Sequence, residues 1–285
     1  MPSRVDRKKS SRRSRNTRRT KFGHGWIPDR PDRRDRRYVP PPKVVRALPS
    51  RVDLKEHCPP VYHQGHVNSC TAHAIAAAIQ FDEKKQSALE KKKRMRRSQI
   101  QSRSGQAHMF MPSRLFIYYN GRAMGHSVES DDGAEIRNVL KSVKKRGVCH
   151  EALWPYRKGK LRHRPWRKCY TAAAKYPGLT YFRVRRTLPQ LKACLASGYP
   201  FIFGFTVYKS FKKAKHTGRT SMPQRHDRID DYHAVLAVGY EDTQRRFIVR
   251  NSWGSKWGTR GYFTLPYDYL TDRHLSEDFW TVRFR

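Results

Sequence analysis

Gln64-Gly65-His66-Val67-Asn68-Ser69-Cys70-Thr71-Ala72-His73-Ala74 sets a cysteine where a glycine-containing turn gives way to an alanine-rich run. From Cys70 to Glu83 the run reads CTAHAIAAAIQFDE, with apolar residues at helical spacing. That pattern predicts a buried helix with Cys70 in its first turn. The free N–H groups and the positive dipole end of such a turn favour a thiolate. A single cysteine is nevertheless more often a small buried hydrophobe than a nucleophile. A second stretch changes the balance: Asp231-Tyr232-His233-Ala234-Val235-Leu236-Ala237-Val238-Gly239-Tyr240, followed by Asn251-Ser252-Trp253-Gly254. A histidine opens one strand pattern and an asparagine closes the next. Cysteine, histidine and a side-chain amide are the parts of a thiolate–imidazolium nucleophile with an orienting group.

Around these stretches the pattern divides in two. Residues 113–123 read as a helix. Residues 133–146 set Ile136, Val139, Leu140 and Val143 on one face, with Asp131 and Asp132 as N-cap candidates and Gly147 as the stop. Beyond them come strand patterns at 181–186, 201–208, 233–240, 246–251, 261–265 and 279–284, rich in Val, Ile and aromatics. A helix at 189–197 interrupts the strands, and no internal repeat is visible. Helices first and strands later predict an α+β protein of two lobes with the site between them. The helical lobe falls mainly at 70–150 and the β lobe mainly at 180–285.

The charge is extreme. The 285 residues carry 62 Lys+Arg against 23 Asp+Glu, a net of +39. Residues 1–47 hold 17 Lys+Arg and 4 Asp, and Pro40-Pro41-Pro42 lies near their end. They read as a basic extended arm that cannot bury itself, anchored on a polyanion. The remainder, 48–285, reads as the folded domain, with further basic stretches at 84–103, 157–168 and 209–228. Aromatics at 12% supply enough apolar area for a core, so disorder throughout is excluded. No run approaches the roughly 20 apolar residues of a membrane span, and no apolar segment follows Met1 as a secretory signal requires. Cys58, Cys70, Cys149, Cys169 and Cys194 are odd in number and widely spaced, which points to free thiols in a reducing compartment.

In this order the residues resemble the papain-like cysteine proteases. The likeness begins at Leu48-Pro49-Ser50-Arg51-Val52-Asp53 and runs through Gln64-Gly65, Ser69-Cys70, His233-Ala234-Val235 and Gly239-Tyr240. It ends with Asn251-Ser252-Trp253-Gly254, Trp257-Gly258 and Gly261-Tyr262-Phe263. The resemblance implies a papain-like two-lobed fold, a helical lobe plus a β-barrel-like lobe with the active-site cleft between them. It implies Cys70 as nucleophile, His233 as its imidazolium partner and Asn251 as the residue that orients His233. Trp253 would shield that bond, and Gln64 would share an oxyanion hole with the backbone N–H of Cys70. The separation of 163 residues between Cys70 and His233 exceeds the family's usual spacing, and the basic insertion near 84–108 accounts for it.

The sequence also departs from the family. Val67 stands where a disulfide cysteine is usual, and Thr71 where an indole is usual. Asp131-Asp132-Gly133 is expected to replace the family's glycine-rich cleft wall. No long helical propeptide is legible before residue 48, so inhibition by that route is not expected. His63, His66, Cys70 and His73 invite a zinc reading, but no second ligand pair follows, and no metal or cofactor is expected. The resulting expectation is a cysteine peptidase acting on protein or peptide substrates. It would be carried in a virion or in the cytoplasm of an infected cell, bound through its basic arm and loops to acidic capsid proteins or nucleic acid. The alternative is a structural virion protein that keeps the fold and uses its basic surface for packaging.

Overall fold

The helix predicted at Cys70 forms and runs further than expected, to Arg97. Lys, Glu, Gln, Ala, Leu, Met and Arg all favour helix, so the first half of the basic insertion continues it. The computed structural model describes residues 25–97, 110–176 and 178–284, and the side chains of all of these except 91–97. The chain order begins β1 (Trp26–Ile27), α1 (Pro42–Arg46), β2 (Arg51–Asp53), α2 (Cys70–Arg97), α3 (Arg114–Met124), β3 (Ala134–Glu135), α4 (Ile136–Arg146) and α5 (Arg167–Ala173). It continues with β4 (Leu179–Arg183), α6 (Leu188–Ala196), β5 (Phe201–Tyr208), α7 (Ala214–Thr217), β6 (Ile229–Glu241), β7 (Arg246–Arg250), β8 (Tyr262–Pro266), α8 (Tyr267–Thr271) and β9 (Ser276–Phe284).

The fold is α+β, and α2 is its axle. Every residue from Cys70 to Asp82 is buried. A helix buried on all sides lies between layers rather than on a surface, and its alanines let both layers approach. One layer is α3 and α4. The other is a sheet of seven strands in the order β4-β9-β5-β6-β7-β8, with β2 paired to β6. Neighbouring pairs are antiparallel, and the path does not close, so the β-barrel-like lobe is an open sheet.

Strand alternation divides the core. Ile202, Ala234, Leu236 and Val238 join Trp280 and Val282 in the core shared with α2 and α4. Phe201, Phe203, Phe205, Val235 and Ala237 point to the opposite face, where they meet Phe211, Phe247, Phe263 and Phe279. Period two along β5 and β6 therefore builds two cores from one pair of strands. A smaller cluster of Leu115, Phe116, Cys149, Trp154, Cys169 and Ala173 lies beneath the basic stretch at 157–168. The buried Arg122 ties that stretch down, donating to the carbonyls of Val128 at 2.8 Å and Ser130 at 2.7 Å and to that of Leu161. All five cysteines are buried and free.

Two local expectations change. Asp131 does not cap α4, which begins after Glu135. Its carboxylate instead accepts from the backbone N–H of Asn68 at 3.2 Å and from the Tyr118 hydroxyl at 2.7 Å, bracing the loop before Cys70. The second change concerns the arm. Residues 1–24 lie outside the described residues, but 25–38 pack on the body, with Trp26 3%, Asp29 8% and Tyr38 8% exposed. Two aromatics and three aspartates in this part find apolar and guanidinium partners, which net charge alone conceals.

Candidate active site

Cys70 opens α2, and its Sγ accepts a hydrogen bond from the backbone N–H of Ala234 at 3.3 Å. That contact joins the helix start to β6 across the two layers. Ser69 fixes the approach: its hydroxyl lies 2.6 Å from that of Tyr156, which in turn donates to the carbonyl of Gln64 at 2.9 Å.

His233 lies in β6 beside Phe205 of β5. Its Nε2 is 2.8 Å from Asn251 Oδ1, and the same Oδ1 accepts from the N–H of Ser252 at 2.8 Å. Two donors on one oxygen fix the amide's orientation. Nε2 therefore carries the proton, and Nδ1 is left as the basic nitrogen of the neutral ring. Trp253 stacks on the imidazole at 4.7 Å between centroids, inclined by 28°, and covers the bond to Asn251. Gln64 is held from both ends. Its Oε1 accepts from Ser252 Oγ at 2.6 Å, and its Nε2 donates to the carbonyl of Val67 at 3.0 Å, which leaves a second amide hydrogen for another acceptor. Backbone bonds from Gln64 to Ser252 and from Gly254 to Tyr62 lock the two segments together.

The five residues singled out from the sequence are thus brought to one site, but its electrostatics differ from the expectation. Burial pushes the Cys70 thiol up despite the Ala234 N–H, and burial also pushes the His233 imidazolium down despite its bond to Asn251. Desolvation is the largest influence on both groups and works against the charged form of each. His63 and His73 serve locally: His63 accepts from the N–H of Gly65, and His73 Nδ1 sits 3.0 Å from the carbonyl of Ser69, with burial lowering its pKa to about 3. Among the described residues, no three His, Cys, Asp or Glu side chains converge as a metal site.

The cover over Cys70 is the chain's own segment 25–38. A Cβ on Gly25 would lie 2.5 Å from Cys70 Sγ and 3.2 Å from the carbonyl oxygen of Asn68, so the bare backbone of a glycine rests on the thiol. Trp26 then pairs in parallel with Ala134, next to the Asp131-Asp132-Gly133 stretch. Its indole fills a pocket over Gly204, where a Cβ would stand 2.0 Å from indole Cε2, and its edge meets Tyr232. The indole Nε1 donates to Asp278 Oδ2 at 3.2 Å, and the N–H of Asp29 donates to the same oxygen at 2.7 Å.

Arginines complete the clasp. Arg137 grips Asp35 through Nε at 2.9 Å and a terminal nitrogen at 2.6 Å, while its backbone N–H donates to Asp29 Oδ1 at 3.0 Å. Arg183 reaches Asp278 at 3.0 Å and Asp35 at 3.3 Å. Trp280 donates its indole N–H to Asp29 Oδ2 at 2.8 Å. Sequence reasoning missed Trp26, Asp29, Asp35, Arg137, Gly204 and Asp278. The available signal was Asp29, Asp32 and Asp35 at intervals of three between Trp26 and Tyr38. A purely solvated basic arm does not need those residues.

A family model described as papain family cysteine protease matches residues 48–273. An uncharacterised peptidase C1-like protein of Acanthamoeba polyphaga mimivirus is 40% identical over 230 residues, covering 77% of this chain and 68% of that protein. Among solved structures, xylellain, a cysteine protease from Xylella fastidiosa, superposes with a TM-score of 0.80 at 41% identity, covering 94% of this chain and 98% of that one. Procathepsin L 3 of Tenebrio molitor shares the fold, with a TM-score of 0.61 at 17% identity over 85% of this chain and 72% of that one.

Proposed function

Because the chain belongs to the papain family of cysteine proteases, we propose that it hydrolyses peptide bonds through a Cys70 thioester and that the described state is its closed form. The observation that carries this reading is the pair of contacts joining distant segments: Cys70 Sγ to the Ala234 N–H at 3.3 Å, and His233 Nε2 to Asn251 at 2.8 Å. In the open cleft, His233 Nδ1 takes the thiol proton and the sulfur attacks the substrate carbonyl carbon. The backbone N–H of Cys70 and the second amide hydrogen of Gln64 hold the oxyanion. The tetrahedral adduct collapses as His233 returns the proton to the leaving amine, and a thioester remains. Water, deprotonated by His233, attacks that thioester and releases the acid and the thiol.

The test is covalent labelling by an epoxide cysteine-protease probe, with the adduct mapped to Cys70 by mass spectrometry. Kinetics of Asn251→Ala accompany it. The amide matters most while His233 is charged, so kcat should fall on the order of 10²-fold with KM changed much less. The alternative, a structural protein that retains the fold, gives no adduct and no turnover.

We also propose that the peptidase works attached to a polyanion, inside a virus particle whose interior keeps thiols reduced. Four observations support this. The net charge is +39. From Ala152 to His226 the chain has 18 Lys+Arg and no Asp or Glu. Trp166, 51% exposed, carries Lys160 at 4.5 Å and Lys168 at 4.7 Å from its ring centroid, a basic and aromatic surface of the kind that phosphate-bearing strands contact. The mimivirus relative is 40% identical. Capsid carboxylates or packaged nucleic acid would each neutralise this surface. Affinity for duplex DNA should fall by about 10²-fold or more between 50 and 200 mM salt. A flat salt profile would reject the nucleic-acid arm and leave acidic capsid proteins as the partner.

A further inference from the structure

The clasp over the cleft is a set of internal ligands in place, and its charges do not balance once the segment leaves. Asp29 and Asp35 belong to the segment; Arg137, Arg183 and Asp278 belong to the body. Of these five groups, closure brings together three carboxylates and two guanidinium groups. Opening leaves two guanidinium groups and one carboxylate in direct contact, with Glu135 of the body also within electrostatic reach of Arg137.

We propose, resting on the peptidase reading, that the vacated clasp is a subsite for acidic substrates: Arg137, with Arg183, reads a carboxylate side chain, and the Gly204 pocket beside it takes an aromatic anchor. The internal occupant gives the spacing, since Trp26 fills the pocket and Asp29, three residues on, meets the backbone N–H of Arg137. The pocket lies one residue from the backbone that rests on Cys70 Sγ, so an occupant there is in line with the thiol.

The geometry favours carboxylates over amides or amines. Arg137 offers Asp35 a two-pronged contact at 2.9 and 2.6 Å, a fork that a planar carboxylate matches and a lysine cannot approach. Its guanidinium is almost wholly buried when closed, 4% exposed, so an occupant without charge leaves that fork without its ionic partner. A basic occupant is disfavoured for a second reason: Arg183 already lies 3.0 Å from Asp278 and partly neutralises it. The role left to Asp278 is to accept from an indole or phenol at the pocket floor, as it accepts from Trp26 at 3.2 Å. Burial, then the neighbouring Asp29 carboxyl, pushes Asp278 up to about 7 when closed; departure of Asp29 removes the second influence. The long-range field agrees, because a net charge of +39 draws acidic peptides to the molecule before any contact forms.

The test uses full-length chain carrying Gly25→Ala together with Trp26→Ala, Asp29→Ala and Asp35→Ala, which lifts the segment from the thiol and removes the groups that fill the pocket and the clasp. Fluorogenic peptides carry one Trp anchor, with Asp, Asn or Lys scanned through two to five residues on either side. At one position, Asp should give kcat/KM at least about tenfold above Asn, and further above Lys. Adding Arg137→Gln, or Arg137→Gln with Arg183→Gln, should bring the Asp-to-Asn ratio to within about twofold. Preference for Asn or Lys throughout, or a ratio that survives both substitutions, overturns the subsite. Epoxide labelling of the same protein reports separately on the peptidase reading. Anisotropy binding of the Asp and Asn peptides to the same chain with Cys70→Ala added, its clasp still emptied by Trp26→Ala, Asp29→Ala and Asp35→Ala, tests the subsite without turnover. Equal affinities there overturn it even if the peptidase reading stands, and a tenfold Asp preference supports it even if that reading fails.

Discussion

Cys70→Ala is expected to lower kcat/KM on the order of 10⁴-fold or more, to the background of the assay, and to abolish epoxide labelling. No other group described at the cleft replaces a thiolate: the remaining four cysteines are buried in the cores rather than beside His233. The change should cost little stability. An alanine removes one sulfur from a site that is fully buried and leaves a small cavity, worth about 1 kcal/mol, or a few degrees in Tm for a chain of this size. The hydrogen bond to the sulfur from the Ala234 N–H is long and made to a weak acceptor. Turnover measured on a chain verified by mass would decide the point. Peptidase activity persisting in Cys70→Ala would remove Cys70 from the reaction.

The second large effect lies on the other side of the same contact. Gly25→Ala is expected to raise the rate of epoxide labelling at Cys70 by about tenfold or more. An added methyl group would sit 2.5 Å from Cys70 Sγ, closer than side-chain atoms pack, and 3.2 Å from the Asn68 carbonyl, so the segment must lift. Each 1.4 kcal/mol of strain at this contact shifts the closed-to-open balance tenfold. Trp26, Asp29 and Asp35 still hold the segment further on, so opening should be local rather than complete. The cause can be isolated by a double-mutant cycle in thermal stability. With Cys70→Ala present, the room left by the sulfur should let Gly25→Ala be accommodated at lower cost, giving a coupling well outside additivity. Equal labelling rates in parent and Gly25→Ala, or additive stability losses, would mean that the glycine contact does not govern access.

Much of this protein is written locally in its sequence. The start of α2 at Cys70 follows from an alanine-rich run after a glycine turn, and β5 and β6 follow from eight-residue apolar stretches whose neighbours in sequence are polar. The residues of the candidate site were legible because each sits beside its own local marker: Gln64 before a glycine, His233 at a strand pattern, Asn251 and Trp253 in a glycine-closed turn. Local physics fixes such features, since helix propensity and strand alternation depend on neighbours within a few residues.

Tertiary structure alone decided the rest. The family resemblance implied a barrel-like lobe, whereas strand pairing leaves an open sheet, because closure depends on register and tilt summed over all strands. Asp131 reads as a helix cap from its position, yet its carboxylate is used 63 residues away by Asn68. The thiol at a helix start reads as acidic, yet in the closed cleft burial pushes it up, since desolvation depends on everything packed around it. The segment 25–38 reads from its composition as part of an extended basic arm, 1–47, that cannot bury itself, and composition is a sum over residues that cannot record pairing. Asp29 and Asp35 are stabilised by Arg137 and Arg183, about 100 and 150 residues away. The sequence by itself therefore determined the family, the two layers and the residues of the candidate site. Only the folded chain decided that those residues are covered and that burial works against their charged forms, because both properties arise from contacts between residues far apart in the chain.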